Sequence, residues 1–215
     1  VTPAHGLWIP VSPEFRTWGA PPGIEIVDVL MRHLDVDYYV GWLSAAELHG
    51  ASHQAPQVFQ VATGRHVRSR RIGRSRFTFL ERDSVRDRPV VEQQTRSGTA
   101  RVATPELTVL DIAADLDAAG GIDNAATVIA ELADQSRLDV EALAQAAELF
   151  AATVGRRAGW FLDRFAPGVD LEPLREAVYA RTTSPSLLDP TGPHEGGLDT
   201  RWRLRINREV EEESW

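Results

Sequence analysis

Apolar positions recur along the chain first with a helical period, then with a strand period, then again with a helical one. Gly23 opens a helix in which Ile26, Val29, Leu30 and His33-Leu34 repeat at roughly 3.6 spacing. A second helix covers Trp42 to His49 and is closed by Gly50. From Gln57 the alternation shortens: Val58-Phe59-Gln60-Val61 and Phe77-Thr78-Phe79-Leu80 read as strands. Val90 to Thr95 and Thr99 to Val102 flank Ser97-Gly98, which reads as a hairpin turn. Thr104-Pro105-Glu106 then starts a helix, with a capping Thr, Pro at the first position and an acid near the positive end. The spacing predicts helices over 105–117, 122–134, 139–153, 155–165 and 171–181, followed by a Pro/Gly-rich loop over 184–198. A last strand runs from Arg201 to Asn207, with Trp202, Leu204 and Ile206 on one face and an acidic tail behind it. Strands followed by a run of helices predict an α+β fold. Its sheet, mixed or antiparallel, takes in about 57–103 and the strand near 201–207, covered by Ala-rich helices from 105 onward.

Before Gly23 the pattern is poorer. Gly6 to Val11 is a short apolar, strand-like run, and Pro13, Pro21 and Pro22 mark a Gly/Pro-rich linker. The chain begins with Val1 and its only Met is Met31, so the start reads as cut.

Composition narrows the chemistry. With 215 residues, 43% hydrophobic and 25% charged, the chain is of ordinary globular make-up. The sequence has neither a membrane-length apolar stretch nor a signal peptide at its start, which predicts a cytoplasmic protein. It has no cysteine, so thiolate nucleophiles and cysteine-bearing zinc sites are excluded. All 23 basic residues are Arg, which removes P-loop, Schiff-base and kinase lysines as well.

The net charge of −8 is unevenly spread. Residues 65–101 hold eleven Arg against four acids, whereas 105–150 hold one Arg against ten. The densest basic part is Arg65, Arg68, Arg70, Arg71, Arg74 and Arg76, punctuated by Gly64 and Gly73. Such a block in an acidic protein is a candidate nucleic-acid- or partner-binding surface, and arginine's planar fork suits phosphate. The plainer alternative is a solvated turn neutralised by the acidic block.

Candidate catalysis is thin. His49 and His53 stand four apart, but Gly50 and loop-forming residues between them favour a helix-end histidine over a metal ligand. Ser44 has no nucleophile elbow and reads as a packed helix serine. Asp35-Val36-Asp37 has the Asp-x-Asp form of two-metal sites but reads as a helix-end turn. Asp111, Asp115 and Asp117 read as a solvated acidic face. Neither Gly120-Gly121 nor Gly196-Gly197 continues into a phosphate loop. No catalytic residue, metal site or cofactor is therefore expected; the alternative is a metal-dependent nuclease or phosphotransfer enzyme with an unmarked Asp/Glu site. Six Trp also raise sugar or base stacking: Trp42, Trp160 and Trp202 sit on apolar periodic faces, while Trp8, Trp18 and Trp215 lie in poorly patterned termini, where they pack on an absent segment or on a partner.

Several stretches taken in order resemble one family. They are Tyr38 to Gly50, Gln57 to Val61, Val102 to Asp111, Gly120 to Leu132, Gly159-Trp160-Phe161-Leu162-Asp163 and Trp202-Arg203-Leu204-Arg205-Ile206-Asn207. Together they are similar to the AbiEi-type antitoxin C-terminal domain. The resemblance implies an antitoxin and transcriptional autoregulator of a bacterial toxin–antitoxin or abortive-infection system. Its implied partners are a nucleotidyltransferase-like toxin and, where an N-terminal winged helix-turn-helix is present, operator DNA. On this reading residues 1–22 are the remnant of a wing strand and linker, and residues 23–215 are the antitoxin domain.

Overall fold

The computed structural model describes residues 1–51, 58–136 and 138–211. It divides into two compact units: Val1–Glu47 with Gln54–Thr104, and Leu48–His53 with Pro105–Trp215. Among the described residues there are seven α-helices, one mixed six-stranded sheet and one three-stranded sheet. The α+β class and the mixed sheet follow the expectation.

The first unit is built on helices α1 (Gly23–Leu34) and α2 (Trp42–Leu48), and on strands β1 (Tyr38–Val40), β2 (Val58–Thr63), β3 (Arg70–Ile72), β4 (Ser75–Glu81), β5 (Val90–Thr95) and β6 (Gly98–Ala103). Its sheet runs β3-β4-β2-β1-β6-β5. Strand β1 is short and central: it pairs antiparallel with β2 and parallel with β6. All three of its residues are buried, as is typical of a strand covered on both faces. The expected hairpin is β5–β6, with Thr95 opposite Gly98.

Helix α1 buries Ile26, Val27, Leu30 and Met31 and ends where Asp35 turns into the left-handed region at φ 52°. Its buried carboxylate, Asp28, accepts from the Tyr38 hydroxyl at 3.1 Å and from Arg32 Nε at 3.0 Å. Burial first, and the Asp28 charge second, raise the Tyr38 phenol above its ordinary pKa of 10.0. Helix α2 docks on β2 through polar groups: Gln60 Oε1 accepts from Leu43 N–H at 2.9 Å, and the Ser44 hydroxyl accepts from Gln60 N–H at 2.9 Å.

The second unit carries α3 (Pro105–Ala114), α4 (Ile122–Ser136), α5 (Val140–Ala147), α6 (Ala152–Phe165) and α7 (Glu172–Arg181), and a small sheet of β7 (Ser186–Leu187), β8 (Gly197–Asp199) and β9 (Leu204–Ile206). Asp139 caps α5 by accepting from Glu141 N–H and Ala142 N–H, both at 3.1 Å. Two consecutive buried arginines staple α6 to its surroundings. Arg156 donates to the Ser184 and Thr182 carbonyls, and Arg157 to those of Leu188 and Ala113. Burial lowers the pKa of both guanidinium groups. Trp202 is fully buried against Gly159 of α6 and donates from its indole to Asp163 at 3.2 Å.

Several expectations need correction. The C-terminal strand does not join the large sheet; β9 lies between β7, inside the stretch expected to be loop, and β8, which begins in that stretch and ends just beyond it. Trp202 and Leu204 are buried as expected and Ile206 is only half-buried; the strand begins at Leu204, and Trp202 lies before it in a turn where Arg203 adopts φ 51°. Gly6 to Val11 makes no strand; Leu7 bridges to Ala4, and Ile9 exchanges backbone hydrogen bonds with Val1 at 2.8 and 2.9 Å. Helix α3 stops at Ala114, so Asp117 lies beyond it, and Asp111 is wholly buried. The three aspartates therefore do not share a solvated face.

Two predictions test this packing. A methyl group at Gly159 overlaps the Trp202 ring, and overpacking outweighs alanine's helix advantage of about 1 kcal/mol, so G159A should lose about 1–2 kcal/mol in urea unfolding. Because the folded pKa of Tyr38 is raised, its contribution to stability is complete below about pH 10 and fades as pH climbs toward the folded value. With no lysine titrating in that range, a wild-type decline in stability above pH 10 that is shallower in Y38F is the expected result.

A candidate anion-binding hairpin

Strands β3 and β4 form the hairpin at one edge of the large sheet, joined by the two-residue turn Gly73-Arg74. Gly73 adopts φ 59°, the sign that a tight hairpin turn requires and that glycine meets without strain. It also lies against Trp18 and Ala20 so closely that a side chain would not fit. The Arg74 N–H donates to the Trp18 carbonyl at 3.0 Å. The segment before α1 is thereby fastened to the tip of the hairpin.

The six arginines singled out by sequence separate into two groups. Arg65 donates to the Leu34 carbonyl at 2.7 Å and so serves the C-terminus of α1. Arg70 is half-buried, donates to the Pro3 carbonyl at 3.2 Å and sits 5.6 Å from the centre of the Phe79 ring. Burial lowers its pKa. Arg68, Arg71, Arg74 and Arg76 are exposed, and among the described residues none of them forms an ion pair.

Arg71 and Arg76 are directly opposite each other across the hairpin. Like charges in that relation repel, so the fold gains nothing from the pair. Val58, Ser69, Arg70, Arg71, Arg74 and Arg76 line an open groove of about 560 Å³. No acidic residue is among these, and such a cradle of unneutralised guanidinium groups suits phosphate or carboxylate. Trp18, 56% exposed, is joined to the turn of this hairpin by its backbone carbonyl, which accepts from the Arg74 N–H. Sequence reading placed the arginines but missed this neighbour, because Trp18 and Arg74 meet only through a backbone hydrogen bond.

The other candidates are accounted for locally. The Ser44 hydroxyl is held between Gln60 N–H and the Val58 carbonyl. Asp35 caps α1, and Asp37 pairs with Arg86 at 2.6 Å. His49 lies in the turn after α2, whereas His53, Gln57 and Trp215 fall outside the described residues. Trp42 and Trp160 are buried, with Arg82 over the Trp42 ring at 4.8 Å. Of the ten acids in the 105–150 block, Glu141 and Glu148 line one open groove, with Asp170, Glu172 and Glu176, while Asp115 and Asp117 line another with Asp189 and Arg208. Among the described residues, no group of three His, Asp or Glu is placed to hold a metal ion. No helix there is long and apolar enough to cross a membrane.

A family model described as the AbiEi antitoxin C-terminal domain matches residues 39–164. No curated protein matches. Among solved structures, the crystal structure of the RV2827C protein from Mycobacterium tuberculosis is similar, with a TM-score of 0.60 and 15% identity. That likeness covers 83% of this chain and 65% of the other, so this chain spans a little under two thirds of that protein's length. At this identity the likeness is one of fold.

The repulsive pair yields a stability prediction. R71E turns the Arg71–Arg76 pair into an attractive one and should raise the unfolding free energy by about 0.2–1 kcal/mol. A lower melting temperature in R71E would show that Arg71 has a structural role.

Proposed function

The chain belongs to the AbiEi antitoxin C-terminal domain family, and from that membership we infer that it is the antitoxin of a bacterial toxin–antitoxin pair whose toxin is nucleotidyltransferase-like. The observation that carries this reading is the extent of the match, which runs from β1 through α6 and includes the arginine hairpin. A family role met by a scaffold agrees with the local geometry. The polar groups that sequence reading weighed as nucleophile or metal ligand, Ser44 and the Asp35–Asp37 turn, are engaged by their own surroundings. Neutralisation is accordingly by contact with the toxin or its target. Where the chain is joined to a winged helix-turn-helix, repression of its own operon is a second role.

The test is genetic. Induction of the adjoining reading frame alone should arrest growth of a bacterial host, and co-expression of this chain should restore it. If growth stays arrested although the chain accumulates in folded form, the antitoxin reading fails.

A further inference from the structure

We propose that the β3–β4 hairpin and Trp18 together form a binding surface for a single-stranded nucleic-acid segment. The inference goes beyond toxin neutralisation and does not depend on it. It starts from a cost: Arg71 and Arg76 face each other in register, with Arg74 at the turn between their strands. Three guanidinium groups gathered without a described carboxylate are relieved by a ligand carrying several negative charges close together. The groove they line is open rather than enclosed and has an apolar residue, Val58, among its walls. A flexible backbone of phosphates can follow such a groove.

Trp18 decides between a nucleic acid and a merely acidic surface. Its ring is largely exposed, although tryptophan is ordinarily covered by the fold that carries it. Its backbone is not loose. The carbonyl takes the Arg74 N–H at 3.0 Å, Gly19 follows with φ 75°, and Gly73 packs on the Trp18–Ala20 segment. The fold thus fastens the residue that carries an uncovered indole, through its backbone, to the turn that bears Arg74. A base lying on that ring while its neighbouring phosphates meet the guanidinium groups uses both features at once. In a duplex the base faces are already stacked on each other, so a paired strand offers the phosphates but not the ring. An acidic protein face would satisfy the arginines and leave the exposed indole without a specific role.

The experiment uses the full chain and fluorescently labelled twelve-residue probes, namely oligo-uridine, oligo-thymidine and a duplex of the same length, titrated by anisotropy at several salt concentrations. Wild type should bind the single strands more tightly than the duplex. R71A/R74A/R76A should flatten the log-affinity against log-salt line for single strands by about 2 units, from about 0.7 per lost phosphate contact. W18A should weaken single-strand binding roughly 5- to 100-fold with the salt slope kept, W18F should retain most of the affinity, and duplex binding should not change in either. Melting curves identify a variant that fails to fold, and R71K/R74K/R76K, which preserves charge, should keep the slope. Three results would each overturn the proposal: wild-type salt slopes in the triple alanine variant; equal binding of single strand and duplex with W18A indifferent; or unchanged oligonucleotide binding in the triple alanine variant together with loss of growth rescue, which would give the hairpin to an acidic protein.

Discussion

Three residues hold the large sheet together. In the order β3-β4-β2-β1-β6-β5, strand β1 is the sole link between a three-stranded half and a two-stranded half. It is long enough for only three partners on β2, from Tyr38↔Thr63 to Val40↔Val61, and for one on β6. So short a ladder is marginal by itself. What reinforces it is the anchoring of its side chains. Tyr39 and Val40 are fully buried, while the Tyr38 hydroxyl is tied to Asp28 of α1 and takes the Arg101 N–H of β6 at 3.4 Å. A phenol kept neutral there links helix, central strand and neighbouring strand. The arginine hairpin depends on this arrangement indirectly: β3 is at the edge, three places from β1, where one side of the ladder is free and Ile72 alone of its three side chains is buried in the core.

A chain with arginine as its sole strong cation uses the guanidinium group in several ways, ion pairs such as Arg86 with Asp37 among them. Arg65, Arg156, Arg157 and Arg181 each donate to backbone carbonyls, at the end of α1, in the loop after α7, at the end of α3 or at the end of α5. Several donors in a rigid plane suit that work, since one side chain satisfies two carbonyls that would otherwise lack partners. Burying such a group is costly for the charge, and the lowered pKa of Arg156 and Arg157 expresses that cost. Arg71, Arg74 and Arg76 stand apart from this pattern: no backbone carbonyl is described as bound by their side chains and no described carboxylate pairs with them.

The alternation of apolar residues was enough to place β2, β4, β5 and β6, and the Thr-Pro-Glu start located α3, because local spacing and capping chemistry determine those elements. Strand β1 gave no period to read, since three consecutive buried residues look the same in any conformation. Strand β3 was hidden by its own composition: Arg70-Arg71-Ile72 has the charge of a loop and becomes a strand through pairing with β4. The small sheet failed for the same reason. Its strands are two or three residues long, and Leu188 and Asn207 are fixed by partners distant in sequence, such as the Asn207 amide on the Asp189 carbonyl at 2.8 Å. The six arginines were legible as a group from charge density alone. Which of them serve the fold was not, because carbonyl partners like Leu34 and Pro3 come from remote segments.

Charge on an edge strand has a general use, which is to prevent the sheet from pairing with another sheet. That explanation is too small for the hairpin. The opposite edge, β5, faces the same hazard with Glu92 as its one charged residue. If protection were all that β3 required, one arginine would do, and a second directly across from it on β4 would only add repulsion. Nor would edge protection call for an exposed tryptophan fastened beside the turn, since an uncovered ring invites association. The excess over what an edge needs, in charge and in aromatic surface, is therefore what distinguishes a surface made for a ligand from one made to be left alone.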